Sequence, residues 1–324
     1  MRGVHTPEVV CRDVVHTIES LCTRTGISRL RLLVWAGIGA SRYHRWRQQQ
    51  TMPCVPFEDR PSCASRLLQE ERDAIVAYRQ EAVAKDRATS YRIQAYEMLD
   101  LDIVAVSESS VYRVLRDAGL IPSRTQTVSS KGTGFVQPLA LHEHWHTDIS
   151  YLWEFGHRAY LISVLEGRSR AILHHKVLHT MKTGDVELVL QRTQELYPGI
   201  TPRLITDNGG QFVSKQFKGF LEEHGYQHVR TSPNHPQANG KMERQFRTTK
   251  EALRERSTLD FDDMVSNVDE TIHAYNHHRY HSAIGYVMPM DVLLGRAEGI
   301  QRQRRSKLDE AKERRKEVHS HLFN

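Results

Sequence analysis

The sequence predicts an α/β protein in which all-α units precede a mixed-sheet domain. Three observations carry that prediction. Up to about residue 120, apolar residues recur at helical spacing, and glycines such as Gly26, Gly37 and Gly119 punctuate the segments. From His142 onward three strand-like segments follow one another, and then helices and short strands alternate. Polar stretches rich in proline or glycine separate these regimes. A chain of 324 residues suits two or three domains, and a hydrophobic fraction of 39% is enough for packed cores. A charged fraction of 26% argues against wholesale disorder.

The first unit, residues 1–52, reads as three short helices. Glu8 to Arg24 is stopped by Gly26, and Ser28 can cap a second helix running to about Ala36. After the break Gly37-Ile38-Gly39, a third helix carries Arg42, Arg45 and Arg47. A helix, a glycine turn and an arginine-rich helix form the pattern of a DNA-binding helix-turn-helix. A plain three-helix bundle with a solvated basic face fits the same residues. Pro53, Pro56 and Pro61 mark a linker. A second helical unit, residues 66–122, holds Leu67 to Ala84, Ser90 to Leu99, and Glu108 to Ala118 with Ser107 as its cap. There Tyr112, Arg113 and Arg116 lie among apolar anchors, as in a recognition helix, with a helical spacer as the alternative. Ser123 to Gln137 lacks a full phosphate-loop pattern despite Lys131-Gly-Thr-Gly, and reads as a linker.

The third segment, residues 140–297, begins with strands over Trp145 to Trp153, Arg158 to Glu166 and Arg170 to Leu178. A helix over Thr183 to Tyr197, a strand over Arg203 to Thr206, a helix over Ser214 to His224 and a strand over Tyr226 to Arg230 follow. Gln237 to Arg256 closes the series as a long helix. Residues 298–324 form a basic tail, expected to be a solvated helix or arm.

Composition narrows the function. The formal charge of +6 points mildly toward polyanions. Cys11, Cys22, Cys54 and Cys63 form no CxxC pair, which argues against structural zinc and suits reduced thiols. The first residues lack a signal-peptide apolar region, and the longest apolar run, Leu32 to Ala40, is too short to span a bilayer. No membrane partner is expected, and the cytoplasm is the expected compartment.

Three acids stand out. Asp148 lies inside the strand Trp145-His-Thr-Asp-Ile-Ser-Tyr, where a one-faced aspartate is costly unless paired. Asp207 ends the strand Arg203-Leu-Ile-Thr and opens Asp-Asn-Gly-Gly, at the strand end where open α/β sheets bind ligands. Glu243 follows Pro236-Gln-Ala-Asn-Gly on a helix. Singly, Asp-Asn-Gly-Gly also reads as a turn, and Glu243 as a salt-bridge former. Thirty-five residues separate Asp207 from Glu243.

With that spacing the chain resembles the DDE transposases and retroviral-type integrases, most closely the integrase-like transposases of bacterial insertion sequences. The matching blocks are Trp145-His-Thr-Asp-Ile-Ser-Tyr, Ile205-Thr-Asp-Asn-Gly-Gly-Gln-Phe, Ser232-Pro-Asn-His-Pro-Gln-Ala-Asn-Gly-Lys-Met-Glu-Arg and Tyr275-Asn-His-His-Arg-Tyr-His-Ser. Ser150 stands where a threonine is commoner, and Lys250 matches the family's following basic residue. The resemblance implies an RNase H-like core in which Asp148, Asp207 and Glu243 are catalytic and hold two Mg²⁺ or Mn²⁺ ions. It implies double-stranded DNA as partner, at element ends and target, and a homo-oligomer bridging two ends. In a bacterium such a protein would sit on the nucleoid when bound to DNA.

The chemistry agrees with that implication. Hard divalent cations want carboxylate oxygens, and they neutralise the mutual repulsion of clustered acids. Two ions about 4 Å apart stabilise both oxygens of an in-line displacement at phosphorus. Glu243, Arg247 and Lys250 share one helix face, so both cations suit the phosphates beside the acids, as does Asn208 beside Asp207. Arg244 points elsewhere. His142, His144 and His146 alternate onto the face of Asp148, but the resemblance implies no zinc there. Two other readings use the same segments: a sequence-specific DNA-binding regulator with an inactive core, and a simple RNase H-type nuclease.

Overall fold

Glycines end the early helices where the sequence puts them. The computed structural model describes residues 8–51, 65–87, 89–121, 138–153, 158–231 and 240–321. In it α1 (Glu8–Thr25) stops at Gly26, whose φ of 68° strains any residue bearing a Cβ. α2 (Arg29–Trp35) and α3 (Ala40–Thr51) follow, with Gly37 at φ 66° in the turn between them. Ser28 occupies the N-cap of α2, but its side chain makes no capping bond. Val15, Ile18, Leu32, Leu33 and Tyr43 form the core of this first unit, residues 1–66. Cys54, Cys63, both linkers and the block 232–239 with His235 lie outside the described residues.

Residues 67–324 form the second unit. It opens with α4 (Gln69–Ala84), α5 (Tyr91–Asp100) and α6 (Glu108–Asp117), packed around Ile75, Met98, Val111 and Leu115. Ser107 caps α6 as expected, accepting from the backbone N–H of Ser110, and Ser90, expected as the first residue of its helix, caps α5 by accepting from that of Ile93.

The sheet contains β1 (His144–Tyr151), β2 (Tyr160–Glu166), β3 (Ile172–Leu178), β4 (Arg203–Thr206) and β5 (Gln227–Arg230), in the order β3-β2-β1-β4-β5. β2 runs antiparallel to both β1 and β3, while β1, β4 and β5 are mutually parallel. A short turn joins β2 to β3, and helices supply the crossovers between parallel strands, as backbone reach requires. This is the mixed sheet of an RNase H-like core.

Side-chain alternation gives the sheet two apolar faces. Trp145, Ile162, Val164 and Leu204 meet α7 (Thr183–Leu196), α8 (Gly210–Val213) and α9 (Lys215–Glu223) on one face. Leu161, Leu165, Ile172 and Val177 meet α10 (Gly240–Leu253) and α11 (Phe261–His277) on the other. The sequence reading leaves α11 unassigned.

After α12 (Pro289–Leu293), α13 (Ala297–His321) departs from the expected solvated tail. Most of its surface is exposed, but Arg304 and Arg315 are only 5% and 6% exposed. Arg304 pairs with Asp100 at 2.6 Å and Arg315 with Glu71 at 2.8 Å, so the helix packs onto α5 and α4 through its charges.

Candidate active site

Strand register brings the two aspartates to one place. β1 and β4 are adjacent and parallel, with His146 opposite Ile205. Two residues further along each chain lie Asp148 and Asp207. By alternation both sit on the sheet face that α10 covers, since Trp145 and Leu204 point to the opposite core. Both are half-buried. Asp148 Oδ1 accepts from the Ile149 N–H at 2.8 Å, and Asp207 Oδ1 accepts from the Gly209 N–H at 2.8 Å. A Cβ at Gly209 would lie 3.0 Å from Asp207 Oδ1, so the close turn needs glycine. Asn208 Nδ2 donates to the Thr231 carbonyl at 2.7 Å and so ties this turn to the end of β5.

Glu243 stands in the first turn of α10, beside fully buried Met242, with its own side chain exposed. α10 packs against β1, so Glu243 belongs to the same side of the sheet as the aspartates. Among the described residues, however, no three His, Cys, Asp or Glu side chains come close enough together to hold a metal ion. The two aspartates, one inside β1 and one just past the end of β4, supply the hard oxygen donors that Mg²⁺ or Mn²⁺ prefers. Glu243 does not join them in this arrangement.

His146, on the same face of β1 as Asp148, has Lys241 and Arg170 for neighbours. His146 is fully buried, and burial holds its imidazole well below the usual value, with Lys241 and Arg170 adding to the effect. Burial and then Arg170 push the Lys241 ammonium down to about 7, against the pull of Glu166 and Glu143. Lys241 Nζ donates to the Gly167 carbonyl at 3.1 Å. Burial likewise holds the His144 imidazole below its usual value, against the pull of Glu143. His142 breaks the expected alternation. Its φ of 59° turns its ring toward Trp145, whose indole donates to His142 Nδ1 at 3.1 Å.

Residues 140–236 match the integrase core domain family, and residues 224–289 match a second family of the same description. A putative transposase InsD for insertion element IS2E of Escherichia coli is 26% identical over 204 residues, covering 60% of this chain and 94% of that protein. Together the two matches span residues 140–289, the sheet and the helices that follow it, and over them the chain is similar to integrase core domains. The retrovirus-related Pol polyprotein from transposon TNT 1-94 of Nicotiana tabacum is 34% identical over 104 residues, 31% of this chain, which spans only 8% of that polyprotein. Among solved structures, the catalytic core domain of BIV integrase aligns over 48% of this chain and 95% of its own, at 18% identity and a TM-score of 0.39. A simian T-cell lymphotropic virus intasome chain aligns over 57% of this chain and 66% of its own, at 15% identity and a TM-score of 0.44.

The remaining candidates scatter over three helices, α3, α6 and α10. Arg42 and Arg45 are exposed on α3, whereas Arg47 lies 2.8 Å from Glu19 on α1. On α6, Arg113 Nε donates to the Ser109 carbonyl and Arg116 pairs with Asp117 at 2.9 Å. Tyr112 packs its ring 5.2 Å from that of Tyr91. On α10, Arg247 lies 3.9 Å from Glu251, and Lys250 is half-buried in the last turn. Sequence reasoning missed Glu166, Arg170 and Lys241. Glu166 carried a signal, an acid closing the apolar strand Tyr160-Leu-Ile-Ser-Val-Leu just before a glycine. No helix of the described residues is long and apolar enough to cross a membrane.

Proposed function

We propose that this protein is a DNA transposase that binds the ends of an insertion sequence, cleaves them, and joins the freed 3′-hydroxyl to target DNA. The observation that carries this reading is the pair Asp148 and Asp207, at corresponding positions on neighbouring parallel strands of an integrase core. Asp148, Asp207 and Glu243 would supply the carboxylates for two divalent ions. When bound, such ions supply the Lewis acidity for in-line displacement at phosphorus. In the first step water attacks an end phosphodiester and the bond to the 3′-oxygen breaks. In the second, that 3′-hydroxyl attacks a target phosphodiester, and a target 3′-oxygen leaves. Each step exchanges one phosphorus–oxygen bond for another, so no oxidant or covalent protein intermediate enters. Arg247 and Lys250 would hold phosphates beside Glu243, and Asn208 would hold Asp207 in place. Arg42, Arg45 and Arg47 on α3, with Tyr112, Arg113 and Arg116 on α6, would contact duplex ends, and the active form would be a homo-oligomer on DNA.

A strand-transfer assay with labelled element ends, supercoiled target and magnesium tests the reading. Joined product is expected, lost on chelation with EDTA and lost in Asp207→Asn. Sequence-specific binding without cutting would support the regulator instead, and degradation of RNA–DNA hybrids the nuclease.

A further inference from the structure

A cleft of about 1140 Å³ opens between the α4–α6 helices and the core. Arg79, Arg92, Arg170, Lys241, Arg244 and Arg279 line it, and among the described residues none that lines it is acidic. Arg92 lies 3.3 Å from Glu108, and Arg79 donates to the Thr89 carbonyl. Arg244 and Arg279 are exposed, and neither forms an ion pair among the described residues. The charges converge. Burial pushes the His281 imidazole down to about 4, and Arg170, Arg279 and Arg244 all add to that push. A recess lined by one sign of charge concentrates counter-ions of the other sign.

Two further features narrow the ligand. Tyr91, Tyr112 and Tyr286 also line the cleft, and Tyr286 is backed by Tyr96 at 4.7 Å in a stacked pair. Cations interleaved with aromatic rings are the composition of a single-strand platform, because every base has a face to stack. The cations come from α4, α5, the β2–β3 turn, α10 and the segment after α11, so they suit the spaced phosphates of an extended strand.

α10 has two working faces. Gly240, Lys241, Arg244, Gln245 and Thr248 line the cleft, while Glu243, Arg247 and Lys250 do not. At 3.6 residues per turn the two sets are centred roughly 125° apart around the helix axis. We propose that the cleft binds one unpaired DNA strand, with Arg244 and Arg279 on its phosphates and Tyr91 and Tyr286 against its bases. α10 then stands between that strand and the one at the acids. The choice of DNA as the polyanion rests on the transposase reading.

Binding of a labelled twelve-nucleotide oligo(dT) to the full chain, in EDTA and across a salt series, tests this. The double variant Arg244→Gln/Arg279→Gln is expected to lose about tenfold in affinity and to flatten the log–log salt slope by about 1.4, at roughly 0.7 per phosphate contact. Its binding to a duplex of equal length should change less than twofold. Tyr91→Ala should weaken oligo(dT) binding several-fold with the slope unchanged, since stacking releases no counter-ion. Asp207→Asn should bind oligo(dT) like the parent, so loss of strand transfer leaves this measurement intact. Unchanged oligo(dT) affinity and slope in the double variant, or equal losses for oligo(dT) and duplex, would overturn the proposal.

Discussion

Glu166 is fully buried, and its carboxylate accepts from the backbone N–H groups of His142, Arg168 and Ser169. It thereby holds the turn between β2 and β3 against the start of β1. Gly167 completes the fit, because a Cβ there would meet the His144 carbonyl at 3.0 Å. Glu166→Ala leaves three N–H groups without their acceptor, and at about 1–3 kcal/mol for each unsatisfied group a loss of about 3 kcal/mol or more is expected. Urea unfolding should show it, with Glu166→Gln losing less because one oxygen remains. Equal stability of Glu166→Ala and the parent would remove Glu166 from this role. Asp207-Asn-Gly was legible in the sequence because its chemistry is local: each side chain or missing Cβ acts within its own turn or on the next strand. Glu166 was not assigned, because its partners are backbone groups that only the folded turn brings to it. The His142 ring escaped the alternation rule through one positive φ.

At the scale of elements, the sheet strands lie within two residues of their predicted bounds, because period-2 patterning and turn residues act locally. α11 carried a comparable signal, an Asp260 cap followed by Met264, Val268, Ile272 and Tyr275 at helical spacing, which the sequence reading left unused. The faces of α10 were legible from spacing alone, but the partner of its Arg244 face was not, since that face meets α4–α6 across more than a hundred residues of chain. The acid face carries a prediction. Lys250 lies two turns from Glu243, too far along the helix to share a metal with it, at 1.5 Å of rise per residue. Lys250→Ala should therefore weaken duplex-end binding several-fold, measured by anisotropy, while the magnesium concentration for half-maximal strand transfer stays unchanged. A shift in the magnesium requirement with normal end binding would reverse the assignment.

At the scale of the second unit, α13 ties together parts that are far apart in sequence. Arg304 donates to both oxygens of Asp100 on α5, lies 4.7 Å over the Tyr96 ring, and shares Asp100 with the Tyr280 hydroxyl of the core's closing block. Lys307 Nζ donates to the Leu99 carbonyl. Arg315 makes a forked contact with Glu71 on α4 and donates to the Ala105 carbonyl, while Glu71 also accepts from the Leu68 N–H. Composition could not reveal this. A tail rich in arginine reads as solvated until the buried Glu71 on α4 and the half-buried Asp100 on α5 are known to face it. Removing one partner of a buried ion pair leaves the other uncompensated at a cost of about 3–5 kcal/mol, whereas replacing both with apolar residues is often neutral. Arg315→Ala is therefore expected to lower the urea midpoint strongly, and Arg315→Met with Glu71→Leu to recover most of the loss. The recovery should stay incomplete by about 1 kcal/mol for the lost acceptor at Leu68 and donor at Ala105. Because α13 holds α4 and α5 to the closing block, Arg315→Ala should also weaken oligo(dT) binding in parallel with stability, and the double variant should restore both. Recovery of stability without recovery of binding would mean that Arg315 itself meets DNA rather than fixing the wall of the cleft.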